Sequence, residues 1–74
     1  MERKKIAEAA LREILISETT KVLGRDASFL GNKVLIRRRE RKPNWDANCG
    51  IAGTIVIKAF VIALNKAQAQ YDLV

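Results

Sequence analysis

Charged and apolar positions in this chain fall into separate blocks. Every residue of Arg37-Arg38-Arg39-Glu40-Arg41-Lys42 is charged, whereas between Ile51 and Leu64 the only charge is Lys58. The first block must stay in water or meet an anion, and the second must be buried. Residues 2–23, which contain no Gly or Pro, read as a helix ended by Gly24. Ala7, Leu11, Ile14, Leu15 and Val22 recur at helical spacing. Lys4/Glu8 and Glu8/Arg12 are opposite charges one turn apart. Arg3, Lys4 and Lys5 oppose the helix dipole, so the first turn is expected to fray. Glu18 within the apolar stripe and the Thr19-Thr20 pair predict an end or bend near Ser17.

Residues 24–32 are rich in turn formers, with Phe29 and Leu30 expected to tuck beneath them. Lys33-Val34-Leu35-Ile36 then begins a strand that the basic run continues. Alternation places Leu35, Arg37, Arg39 and Arg41 on one face, so three arginines stand in a row. Lys42-Pro43-Asn44 reads as the turn of a hairpin. Beyond it, Trp45, Ala47, Cys49 and Ile51 alternate with Asp46, Asn48 and Gly50, the pattern of a half-buried strand.

Residues 53–71 carry two signals. Thr54-Ile55-Val56-Ile57 favours strand by propensity, while the length and the tail Ala63–Gln70 favour helix. As a helix, it has one polar stripe, Lys58, Asn65 and Gln68, and apolar residues over most of its circumference. A surface helix buries only part of its girth, so this one calls for cover on two sides. Its own sheet supplies one side and a second copy of the chain the other. Ile55, Ile57, Phe60, Val61 and Leu64 are the candidate dimer interface. The predicted fold is an α+β domain, residues 1–74, in the order helix, strand, strand, helix: a self-associating two-layer unit with both helices on one face of the hairpin. The alternative is a mostly helical chain with residues 33–51 irregular.

Size supports self-association. A chain of 74 residues buries only about 60% of its unfolded surface and usually needs a staple. Cys49 is the single cysteine and there is no histidine, so an internal disulfide or a zinc site of about four such ligands is not expected. No cofactor is expected. Met1–Lys5 resemble the charged start of a secretory leader, but Glu8, Arg12 and Glu13 stand where its apolar segment would lie. The expected setting is therefore cytoplasmic.

The net charge of +6 favours acidic partners. Arg37, Arg38, Arg39, Arg41 and Lys42 are candidate phosphate contacts, with Trp45 beside them as a stacking group. Arginines also guard an edge strand against aggregation, and a hairpin Trp also serves as a core anchor. Catalysis is not expected: Cys49 has no histidine to activate it, Asp46 and Asp72 lie in separate elements, and Gly50/Gly53 lack the Gly-Lys-Ser/Thr ending of a phosphate loop. The apolar stretch Cys49–Leu64 is interrupted by Lys58 and falls short of the about 20 residues of a membrane span.

Asn44-Trp45-Asp46-Ala47-Asn48, followed by Ala67-Gln68-Ala69-Gln70-Tyr71-Asp72-Leu73, resembles a pattern in short uncharacterised bacterial proteins that pair an Asn-Trp turn with a Gln-x-x-Tyr-Asp-Leu-like tail. The resemblance covers the C-terminal half of the chain. It implies a bacterial α+β protein and carries no activity or site residues with it. Two functions follow from the chain as a whole: a nucleic-acid or other polyanion-binding module, or a homodimeric structural or adaptor protein whose protein partner the sequence does not name.

Overall fold

The structure, a computed structural model, describes residues 4–31, 33–50 and 53–74. It is an α+β chain in which strand β1 (Lys4–Ile6) leads into helix α1 (Glu8–Leu23). A single 3-10 turn (Ser28–Leu30) precedes strands β2 (Val34–Arg38) and β3 (Trp45–Cys49), and helix α2 (Thr54–Gln70) runs directly into β4 (Tyr71–Leu73). The strands form two small sheets: β2 with β3 antiparallel, and β1 with β4 parallel. The expected helix, strand, strand, helix order is present, with a further short strand at each end.

α1 starts later than its propensity predicts. Lys4 and Lys5 would oppose the dipole of a helix beginning there, and these residues pair instead with Tyr71 and Asp72. The Val74 N–H donates to the Ile6 carbonyl at 2.9 Å and closes the pairing. Glu8, a favourable charge for a helix N-terminus, then occupies the first turn. No end or bend occurs near Ser17; α1 runs on to Leu23. Thr19 is fully buried there because its hydroxyl donates to the Leu15 carbonyl at 2.6 Å. Gly24, at φ 81°, ends α1 in the left-handed conformation that glycine adopts without strain.

In α2 the helical signal prevails over the β-branched start. Val56, Phe60, Ala63 and Ala67 follow a helical spacing that turns one side inward. The buried alanines Ala59, Ala63 and Ala67 let α1 and α2 approach closely, and the two helices form the largest interface between elements. Leu11 and Leu15 of α1 and Phe60 of α2 pack with Leu30, Val34, Trp45, Ala47 and Leu73 in one core. Leu30 tucks under the 24–31 turn as expected, but Phe29 does not and is 50% exposed.

Candidate polyanion-binding hairpin

The β2–β3 register sets Ile36 opposite Ala47 and Arg38 opposite Trp45. Val34, Trp45 and Ala47 are buried on the inner face, while Leu35, Arg37, Asp46 and Asn48 are exposed on the outer face. Ile51, the last member of the predicted alternation, lies outside the described residues. The strand does not continue through the basic run. It ends at Arg38, and the Arg39 N–H donates to the Asn44 carbonyl at 2.9 Å, leaving residues 40–43 as the connecting loop. The Arg37, Arg39, Arg41 row is therefore broken.

The basic residues divide by task. Arg39 braces the turn: its Nε donates to the Pro43 carbonyl at 2.9 Å and its Nη1 lies 3.9 Å from an Asp46 carboxylate oxygen. The Arg38 guanidinium donates to the Val74 carbonyl and ties the hairpin to the C-terminal strand. Arg37, Arg41 and Lys42 are exposed and form no ion pair with another described residue. From the opposite side, Arg12 of α1 donates Nε to the Val34 carbonyl at 3.3 Å and supports the start of β2.

Trp45 is fully buried, so its indole is withheld from any ligand at the turn. Nε1 donates to the Tyr71 carbonyl at 3.0 Å, and the Trp45 carbonyl accepts from Gln68 Nε2 at 2.9 Å. Asn44 holds Leu73 by both ends of its carboxamide: Nδ2 donates to the Leu73 carbonyl at 2.9 Å, and Oδ1 accepts the Leu73 N–H at 2.7 Å. The two sequence segments noted above, 44–48 and 67–73, thus meet in space as a clasp. Alternation identifies Trp45 as inward-facing, but the pairing of Asn44 with Leu73 spans residues far apart in sequence and has no local signal.

The candidate dimer residues also divide. Phe60 is 2% exposed and belongs to the core of its own chain, and Leu64 is half-buried against that core. Ile55, Ile57 and Val61 are exposed, as is Ile62. Ile55 and Ile62, with Val22 and Leu23 of α1, line a shallow groove beside Lys58. No helix among the described residues is long and apolar enough to cross a membrane, and no cluster of three or more metal-ligating side chains occurs among them. No family model, curated protein or solved structure matches this chain.

Proposed function

We propose that this chain is a small non-enzymatic module that binds polyanions, nucleic acid foremost, through the loop and outer face of the β2–β3 hairpin. The observation that supports this best is the division of labour in the basic run. Arg38 and Arg39 hold the fold, which leaves Arg37, Arg41 and Lys42 displayed on a braced turn. Braced cations lose less freedom on meeting phosphates than a flexible tail would. The net charge of +6 adds long-range attraction. With Trp45 buried, recognition is through the phosphate backbone and carries no base sequence. The lone cysteine fits a reducing, cytoplasmic setting.

Titration of labelled nucleic acid at several salt concentrations tests this reading. Each neutralised phosphate contributes about −0.7 to −0.9 to the log–log salt slope, so Arg37→Ala/Arg41→Ala/Lys42→Ala is expected to reduce the slope by about 2 to 3. Absence of binding at low salt overturns the reading. The exposed Ile55, Ile57, Val61 and Ile62 favour a second one, a homodimeric structural or adaptor protein associating through α2.

A further inference from the structure

The two edges of the β2–β3 sheet are finished differently. The Gly50 N–H donates to the Lys33 carbonyl and the Arg39 N–H to the Asn44 carbonyl, each at 2.9 Å. These bonds fix the alternation along the register. Leu35 and Arg37 aim their N–H and C=O groups at β3, whereas Val34, Ile36 and Arg38 aim theirs away from it. Along the far edge of β3 the chain closes such groups itself. Gln68 donates to the Trp45 carbonyl at 2.9 Å, and an Asp46 carboxylate oxygen accepts the Ala47 N–H at 2.8 Å. On β2 the cover stops at Val34, whose carbonyl accepts from Arg12 of α1. No strand pairs with this edge, and the N–H and C=O of Ile36 and the N–H of Arg38 meet no partner among the described residues. Beside it on the outer face stand Leu35, 57% exposed, and Arg37. The register sets Asp46 opposite Arg37, yet the Asp46 carboxylate lies against Arg39 at 3.9 Å, so the charge of Arg37 is left for the open side.

We propose that the open edge of β2 takes a third, antiparallel strand from an acidic partner protein, an extended segment with Asp or Glu opposite Arg37 and an apolar residue opposite Leu35. This goes beyond the nucleic-acid reading, which rests on cations of the loop and outer face. A row of N–H and C=O groups at strand spacing is complementary to another backbone, and its carbonyl repels a phosphate. Backbone bonds supply the attachment, and the side chains on alternate positions supply the choice of sequence. Antiparallel addition continues the sheet already present and is the more stable pairing per residue. A second copy of this chain suits the edge less well. Two β2 strands paired about Ile36 set Leu35 opposite Arg37, give neither Arg37 an anion, and bring the two Arg37 side chains onto one face at a diagonal of about 7–8 Å.

The probe is the capped peptide Thr-Thr-Glu-Thr-Val-Thr-Thr, titrated into the chain and followed by amide chemical shifts and hydrogen exchange. In the free chain the amides of Ile36 and Arg38 are expected to exchange faster than those of Leu35 and Arg37. With peptide at ten times its Kd they are expected to slow by about tenfold. Methylating the backbone nitrogen of the central Thr, which faces Ile36, is expected to abolish binding, whereas methylating that of Val, which faces away, preserves it. Arg37→Glu, with folding checked by circular dichroism, is expected to weaken the peptide by about fivefold and to bind the version with Lys in place of Glu better than the native chain does. Equal binding of the two methylated peptides, or binding without slowed exchange at Ile36 and Arg38, is charge attraction without a strand. Either result overturns the proposal and leaves the polyanion reading standing. Failure of the peptide to bind at millimolar concentration also overturns it.

Discussion

Asn44 commits both ends of its carboxamide to the backbone of one residue, Leu73, and so acts as a one-residue extension of the sheet. Removing it leaves a partly buried N–H and C=O without their partner, which costs about 1–3 kcal/mol. Asn44→Ala is expected to lower unfolding stability by that amount in urea titration, with Trp45 emission shifting red as β4 loosens over the indole. Arg39 separates scaffold from ligand contact. It is half-buried and bonds Pro43 and Asp46, whereas Arg41, two positions on, is exposed. Arg39→Ala should cost about 1 kcal/mol, a figure reduced by solvent screening, while Arg41→Ala leaves stability within about 0.5 kcal/mol. Measured by denaturation, equal losses for the two would contradict this assignment.

At the scale of elements, α1 and α2 are joined by polar contacts as well as by their alanine seam. Glu18 of α1 lies 3.2 Å from Lys66 of α2 and 3.3 Å from Lys21. Those partners, Lys66 first, hold its carboxyl below the ordinary glutamate value of about 4.5. A depressed folded value means that the contribution to stability is complete above the unfolded value and is lost as pH falls through the folded one. Glu18→Gln is therefore expected to be less stable than the native chain at neutral pH, with the difference closing as pH drops below about 4.5. A gap that widens in acid would refute the pairing. Such cross-element contacts mark what the sequence could and could not reveal. Periodicity located α1 and the hairpin because each has its own repeating apolar pattern, whereas residues 53–71 carried both signals and only their length and the tail Ala63–Gln70 favoured helix. It missed β1 and β4, whose few residues become strands only by pairing with each other across the whole chain. It also placed Glu18 in an apolar stripe and inferred a bend, since nothing local to Glu18 announces Lys66. In the basic run it gave the residue types but not their tasks, because the partners of Arg38 and Trp45 lie in the C-terminal strand.

At the scale of the whole molecule, α2 presents apolar side chains that the other described elements leave uncovered. On α2, Ile55 is 68% exposed and Ile62 54%, and Ile57 and Val61 stand on the other flank of Lys58 and Asn65. A chain of this size has little apolar surplus, and burying such side chains stabilises by about 1.5–3 kcal/mol each. In the homodimer reading, the Ile55/Ile62 ridge of one copy enters the groove between α1 and α2 of the other, an isologous arrangement in which each copy supplies both ridge and groove. Sedimentation at micromolar concentration is expected to give a dimer, and Ile55→Asp/Ile62→Asp a folded monomer. Phe60→Asp cannot serve as the probe, because Phe60 lies in the core and a buried unpaired charge would unfold either a monomer or a dimer. The choice of exposed positions separates loss of association from loss of fold, with circular dichroism reporting the second. A native chain that remains a stable, folded monomer across that concentration range rules out the dimer. Dimerisation would double the number of phosphate contacts per particle, so loss of the dimer in the double variant should also flatten the salt dependence of nucleic-acid binding. A salt slope that does not change between native and double variant, with the dimer lost, would show that each copy binds its ligand alone.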